Sequence, residues 1–126
     1  MKVIDSSVWL ELVTDGPLAV RCAEHLADLA EVVTPTVVLF EVYRVLRRQG
    51  REPAALRTVG EMEYTRFVAV GTHVAITAAD LSIDHGLAAV DALVYATARL
   101  EGCELITADT HFRGLPGVTL IEADGE

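Results

Sequence analysis

Positive charge is scarce in this sequence, because ten basic residues stand against 19 acidic ones and Lys2 is the only lysine. The formal net charge of −9 argues against a broad basic surface for binding nucleic acid. It leaves room for a metal-dependent enzyme whose acidic residues are partly neutralised by cations. Aromatic residues make up only 6% of the chain, but hydrophobic residues make up 52%, which is enough for a dense core.

Long apolar runs and targeting features are also missing. No stretch approaches the roughly 18 uninterrupted apolar residues of a membrane helix, and Asp5 falls where the apolar region of a signal peptide would lie. Cys22 and Cys103 are isolated cysteines in apolar surroundings, which favours buried thiols over a disulfide. We therefore expect a cytoplasmic protein without a membrane segment, folded as a single domain over 1–126.

Short apolar segments alternate with helical patterns along the chain. We predict strands over 3–4, 31–34, 67–70, 104–107 and 118–121, and helices over 6–12, 18–29, 36–50, 52–66, 73–83 and 88–100. Ser6 or Ser7 is expected to cap the first of these helices and Thr36 the third. The alternation predicts an α/β fold with a parallel sheet of about five strands, covered by helices on both faces.

Four carboxylates lie where the predicted elements do not explain them. Asp5 and Asp109 each follow an apolar strand, so a parallel sheet brings both to the same edge. Glu41 and Asp91 interrupt helices that are otherwise apolar. A single shared cause explains all four better than four coincidences do, and the simplest cause is a bound divalent cation. Mg²⁺ and Mn²⁺ prefer carboxylate and water oxygens, and unpaired carboxylates would otherwise repel one another.

Each carboxylate also has an ordinary structural explanation. Asp5 can cap the first helix, and Asp109 can close a turn with Thr110. Asp91 can interact with the N-terminus of its own helix. Glu41 can pair with Arg44 one turn further along.

Other chemistries have less support in the sequence. No glycine-rich phosphate loop follows the first strand, and the four histidines show no zinc-binding spacing. Ser6 and Ser7 are possible nucleophiles, but no histidine is visibly placed to activate them. His111 follows Asp109 closely enough to contact a substrate, although a plain surface histidine is the commoner case.

Four motifs in order carry a family resemblance: VIDSSVWL, PTVVLFEVYRVL, DALVYATA and TADTHF. With them the chain resembles a PIN-domain ribonuclease, and most of all a VapC-type toxin of a type II toxin–antitoxin system. The resemblance implies a three-layer α/β/α fold and RNA cleavage that depends on Mg²⁺ or Mn²⁺. It also implies an RNA substrate, a VapB-type antitoxin and a homodimer as partners.

The resemblance also assigns roles to residues by position. It places catalysis and metal binding at Asp5, Glu41, Asp91 and Asp109, with the hydroxyls of Ser6 and Thr107 in support. Asp91 is the residue we expect to orient or deprotonate the attacking water. Candidate substrate contacts are Arg44, Arg48, His111 and Arg113, with Arg47 and Arg51 on the same arginine-rich segment. The four arginines from 44 to 51 can equally well complement the dipole at the end of their helix.

Three other interpretations stay open at this point. A non-catalytic PIN-like binding domain would keep the same acids without activity. A response-regulator receiver domain also gathers acids at strand ends, but this chain lacks its early acidic pair and its later lysine. A phosphatase of the haloacid dehalogenase type would have a second aspartate where Ser7 stands.

Overall fold

The computed structural model describes residues 1–123, so positions 124–126 of the predicted domain lie outside the described residues. The strands are β1 (Lys2–Ile4), β2 (Val32–Pro35), β3 (Arg66–Val68), β4 (Glu104–Thr107) and β5 (Val118–Leu120). The helices are α1 (Ser6–Val13), α2 (Ala19–His25), α3 (Thr36–Arg48), α4 (Glu52–Met62), α5 (Thr72–His85) and α6 (Ala89–Leu100). Single 3-10 turns cover Leu29–Glu31 and Thr110–Phe112.

The five strands form one parallel sheet in the order β3-β2-β1-β4-β5. The chain leaves β1, passes through β2 and β3 on one side, and then returns across the sheet to β4. Right-handed crossovers therefore put α1–α4 on one face and α5 with α6 on the other. The predicted α/β/α architecture is confirmed, and the central strand β1 is where the direction of winding reverses.

The core lies on both faces of the central strands. Val3 and Ile4 of β1 have no solvent exposure, and they pair in register with Leu105 and Ile106 of β4. Helix α6 supplies an almost continuous buried segment from Val94 to Ala98. Strands this apolar on both faces are characteristic of a parallel sheet covered by helices, as the sequence predicts.

Several predicted boundaries are wrong by a few residues. The helix predicted over 18–29 ends at His25, and a separate 3-10 turn covers Leu29–Glu31. The prediction extends too far because the apolar spacing continues through Leu26 into that turn. Strand β2 consequently begins at Val32 and not at residue 31. The helix predicted over 52–66 ends at Met62, and β3 covers Arg66–Val68 where the prediction was 67–70.

The predicted helix caps are also wrong. Asp5, and not Ser6 or Ser7, occupies the N-cap position of α1, with an extended backbone and no side-chain cap hydrogen bond. Thr36 is the first helical residue of α3, and Pro35 precedes it in the N-cap position. The hydroxyls that seemed available for capping are thus free for other contacts.

The predicted buried thiols agree with the structure. Cys22 and Cys103 are both buried and unpaired. Within residues 1–123, no helix combines the length and the apolar character that a membrane span requires.

Candidate active site

The reversal of winding at β1 creates a crevice at the carboxyl edge of the sheet. Strands β1 and β4 lie side by side there, and the backbone N–H of Asp5 donates to the carbonyl of Ile106 at 2.9 Å. Open α/β sheets bind their ligands at such a switch point, outside the carboxyl ends of the strands. Asp5 directly follows β1, and Asp109 lies just beyond β4.

Asp5 is the buried member of this site, with 3% of its surface exposed. Its Oδ2 accepts two hydrogen bonds of 2.8 Å, one from the hydroxyl of Ser7 and one from the hydroxyl of Thr107. Burial raises the pKa of the Asp5 carboxyl above its usual range, and the nearby charge of Asp109 raises it further. The two hydroxyls and the backbone of Ser6 oppose this shift in pKa, since they favour the ionised form.

The same two hydroxyls connect the end of β1 to the segment after β4. The backbone N–H of Ala108 donates to Ser7 Oγ at 3.0 Å, and that of Asp109 donates to Thr107 Oγ1 at 3.0 Å. Ser7 Oγ and Thr107 Oγ1 lie 3.3 Å apart. Both hydroxyls therefore donate to Asp5 and accept from the backbone next to Asp109.

Glu41 reaches the crevice from α3 and is partly buried. Burial is the largest cause that raises the pKa of its carboxyl, and the charges of Asp5, Asp91 and Asp109 add to it. The Ser6 hydroxyl lies beside Glu41 and acts in the opposite direction. The pairing of Glu41 with Arg44 that the sequence allows is not formed among residues 1–123, so Glu41 faces acids instead.

Asp91, Asp109 and His111 form the outer part of the crevice. Asp91 lies in the first turn of α6, and burial together with the charges of Asp109 and Asp5 raises its pKa. His111 Nδ1 lies 3.3 Å from Asp109 Oδ1 and 3.9 Å from Asp91 Oδ2. Asp109 Oδ1 also accepts the backbone N–H of His111 at 2.9 Å, so the turn that the sequence suggested after Asp109 is present as well.

The donor set fits a divalent cation. Four carboxylates from two strand ends and two helices converge, and three of them have a raised pKa to which the charges of the others contribute. In the described part of the chain, none of the four forms an ion pair with an arginine or lysine, and His111 lies within 4.0 Å of Asp91 and Asp109. Asp91, Asp109 and His111 each offer a ligand atom within 4.8 Å of the others. Oxygen-rich sites of this kind suit Mg²⁺ and Mn²⁺.

The arginines proposed to contact substrate lie outside this crevice. Arg44 and Arg48 are exposed on α3 and line a shallow hollow of about 320 Å³ with Val45 and Gln49. Arg113 forms a two-pronged ion pair with Glu122, at 2.7 and 3.2 Å. The nearby Arg47 is likewise engaged, since its Nε lies 3.3 Å from a Glu52 oxygen.

Sequence reasoning named Ser6 and Thr107 as supporting hydroxyls and missed Ser7. Both serines follow Asp5, but the rotation of the first turn of α1 sends Ser7 towards Asp5 and β4 and sends Ser6 towards Glu41. The one signal in the sequence that could have identified Ser7 is its position relative to Asp5. A hydroxyl two residues after a strand-end aspartate can reach back to that carboxylate.

The sequence matches the family model described as PIN domain over residues 2–118. The chain therefore belongs to the PIN domain family. No curated protein shows significant similarity to the sequence.

Solved structures of similar fold come from several bacteria. A toxin–antitoxin complex from Klebsiella pneumoniae matches with a TM-score of 0.80 and 24% identity, over 94% of this chain and 96% of that one. VapC20 from Mycobacterium tuberculosis, described as a sarcin-ricin loop cleaving toxin, matches with a TM-score of 0.77 and 22% identity, over 94% and 97%. FitAcB from Neisseria gonorrhoeae matches with a TM-score of 0.74 and 19% identity, over 97% of both chains. At these identities, the similarity establishes the fold.

Proposed function

We propose that this chain, as a single PIN domain over 1–126, is a metal-dependent endoribonuclease and the toxin of a toxin–antitoxin pair. One observation carries the proposal: Asp5, Glu41, Asp91 and Asp109 lie close enough for their charges to raise the pKa of three of them, and within residues 1–123 none of the four forms an ion pair with an arginine or lysine. Keeping several acids together is costly unless a cation joins them. Family membership supports the same conclusion, and so do the descriptions of two structures with this fold as a toxin–antitoxin complex and a sarcin-ricin loop cleaving toxin.

The proposed site consists of Asp5, Glu41, Asp91 and Asp109, with the hydroxyls of Ser6 and Thr107 in support. When bound there, Mg²⁺ or Mn²⁺ supplies Lewis acidity, which lowers the pKa of water and neutralises charge on a phosphate. Asp5 and Asp109 would hold the cation from the two strand ends. Glu41 would add a third carboxylate from α3.

Asp91 is the residue we propose to orient or deprotonate the attacking water. It is partly exposed, so water can reach it, and its raised pKa makes it a stronger base than an ordinary aspartate. Its place in the first turn of α6 fixes its direction relative to Asp109. His111 adjoins both acids and is placed to contact an RNA phosphate that enters from solvent.

The proposed RNA path continues from the crevice along Arg44 and Arg48. Residues three and four apart share a face of a helix, so Glu41, Arg44 and Arg48 lie on one stripe of α3. Arg113 is the weakest of the proposed substrate contacts, because it must exchange Glu122 for a phosphate. Because other basic residues are scarce, the proposed RNA-binding surface is limited to the crevice and the adjoining Arg44 and Arg48.

The proposed partners are a VapB-type antitoxin and a second copy of this chain, acting together in the cytoplasm. Structures with the same fold include VapBC from Salmonella typhimurium and VapBC2 from Rickettsia felis, both described as bound to DNA. An antitoxin that offers an arginine or lysine to the crevice would form strong charge-assisted hydrogen bonds with its carboxylates.

A cleavage assay on structured RNA tests the proposed activity. The purified protein should cut RNA with Mg²⁺ or Mn²⁺ and stop when EDTA is added, and Asp5→Asn should lose most activity while it stays folded. The matched control is Asp15→Asn, the same change at an exposed residue beyond the other end of α1, where asparagine tolerates the positive φ of 54°. Cleavage by Asp5→Asn at the parent rate would show that the site is assigned wrongly.

Expression without the antitoxin tests the proposed biological role. The parent should arrest growth, and Asp5→Asn at the same level should not. Normal growth with a demonstrably active enzyme would contradict the toxin assignment. Metal binding without cleavage of any RNA would favour the non-catalytic binding domain instead.

A further inference from the structure

The hydroxyl of Ser7 has more partners than a helix-start serine needs. It donates to Asp5 Oδ2 at 2.8 Å, accepts from the backbone N–H of Ala108 at 3.0 Å and lies 3.3 Å from Thr107 Oγ1. The two residues that it connects most directly, Asp5 and Ala108, are separated by more than 100 positions in the sequence. None of these contacts caps α1, whose N-cap is Asp5 itself.

Hydrogen-bond capacity decides which oxygen of Asp5 is available to a ligand. An ionised carboxylate has about two acceptor positions on each oxygen. Ser7 and Thr107 both donate to Oδ2 and thereby fill its two positions. Oδ1 is then the oxygen that Asp5 can offer to a cation.

We propose that Ser7 is a positioning residue of the metal site: its hydroxyl fixes Asp5 so that Oδ1 faces the cation, and it holds the Ala108–Asp109 backbone beside it. The inference rests on the proposed function, because it assigns Asp5 to a divalent cation. Ser7 acts through Asp5 and Asp109, and it need not touch RNA or the cation itself.

Thr107 makes the same pair of contacts, which limits the effect expected from Ser7. Its hydroxyl donates to Asp5 Oδ2 and accepts from the N–H of Asp109. A chain without the Ser7 hydroxyl therefore keeps the second of the two hydroxyl links to Asp5, as well as the backbone hydrogen bond from Asp5 to Ile106. We expect weakened cation binding and not its loss.

The test measures Mn²⁺ binding to the full chain directly, by the electron paramagnetic resonance signal of free Mn²⁺, without RNA. Ser7→Ala should weaken Mn²⁺ affinity about tenfold, which is typical when a partner of a metal-binding residue is removed. Ser7→Thr keeps the hydroxyl and should stay within about twofold of the parent. Thr14→Val is the matched control, since it deletes a hydroxyl bonded to Leu10 O at the other end of α1 and should leave affinity unchanged.

Cleavage adds a second readout. The rate of Ser7→Ala should recover towards that of the parent as Mn²⁺ is raised to saturation, because the defect lies in occupancy of the site. Equal Mn²⁺ affinity in Ser7→Ala and the parent would overturn the inference and leave the proposed function standing. A parent that binds no Mn²⁺ would overturn both.

A folding defect in Ser7→Ala would not prevent the test. Ser7→Cys keeps a side chain of similar size, with a thiol that is a weaker donor. Weakened Mn²⁺ affinity in folded Ser7→Cys supports the inference, and parent-like affinity overturns it.

Discussion

The inner and outer parts of the crevice differ in how firmly they hold their acids. On the inner side, Asp5 is 3% exposed and receives two hydroxyl hydrogen bonds. On the outer side, the side chains of Asp91 and Asp109 are 19% and 31% exposed, and their shared neighbour His111 is 77% exposed. The inner side is fixed before any ligand arrives, whereas the outer side can adjust to one.

This difference suggests a division of labour within one site. A buried carboxylate with one oxygen held by two hydrogen bonds would set where a cation sits. Partly exposed carboxylates beside an exposed imidazole suit contact with water and a large substrate. The same substitution should therefore affect cleavage more at the inner side of the crevice than at the outer side.

The largest effect is expected when each strand-end aspartate is lengthened by one methylene group. Asp5→Glu should lower cleavage about a thousandfold, because the longer side chain cannot keep both hydroxyl bonds in a closely packed site. Asp109→Glu should cost about tenfold, since its partly exposed side chain has room to move. Single-turnover cleavage with saturating Mn²⁺ measures both, and equal losses would remove the distinction between the two sides.

The next effect concerns the stability of the metal-free protein. Glu41 and Asp91 both have a raised pKa in the folded state, from burial first and then from nearby acids. Glu41→Gln should raise the melting temperature in EDTA at pH 8 by roughly 3 °C. Asp91→Asn should raise it less, because Asp91 also interacts favourably with the N-terminus of α6. A lower melting temperature for Glu41→Gln would mean that its carboxylate makes a stabilising contact.

The pH dependence of that gain has a definite sign. A carboxyl with a raised folded pKa stabilises the native state fully below its unfolded pKa, and this stability is lost as pH rises through the folded pKa. The advantage of Glu41→Gln over the parent should therefore grow from about pH 4 upwards and level off above the folded pKa of Glu41. Melting curves in EDTA at pH 4, 6 and 8 check this. An advantage that shrinks as pH rises would contradict the raised pKa.

The smallest effects are expected at the outer rim. His111→Ala should raise the KM for RNA roughly threefold with little change in kcat, as expected for a contact made before and during reaction alike. Arg113→Ala should change either constant less than twofold, since its charge is already engaged by Glu122. A larger loss for Arg113→Ala than for His111→Ala would show that the RNA path passes along the Glu122 side.

The sequence predicts the fold and the grouping of the acids because both follow from simple periodicity. Apolar runs at β1 and β4 mark buried strands, and parallel strands place the residues that follow them at one edge. Helix ends at Gly50 and Gly102 are predictable, since both glycines adopt the positive φ that ends a helix, 72° and 66°. The hydrophobic pattern and the glycine positions are therefore enough to predict the strands, the helices and the edge at which the acids lie.

Contacts that depend on the rotation of a side chain lie beyond such reasoning. Ser6 and Ser7 are equivalent in the sequence. Only the orientation of the first turn of α1 directs Ser6 to Glu41 and Ser7 to Asp5. The end of α2 cannot be predicted from the apolar pattern either. Leu26 and Leu29 continue the helical spacing of apolar residues, and a 3-10 turn buries such residues equally well. The Arg113–Glu122 ion pair depends on the direction of the chain after β5. The local sequence pattern does not predict that direction.

The pairing of β1 with β4 also sets when the crevice can form during synthesis of the chain. Asp5 leaves the ribosome early, but Thr107, one of its two hydroxyl partners, lies at the end of the strand Glu104–Thr107. A nascent chain that ends before Asp109 lacks one wall of the crevice, however well its first strands are formed. Since contacts between distant segments form late, the crevice is complete only when most of the chain has already been translated.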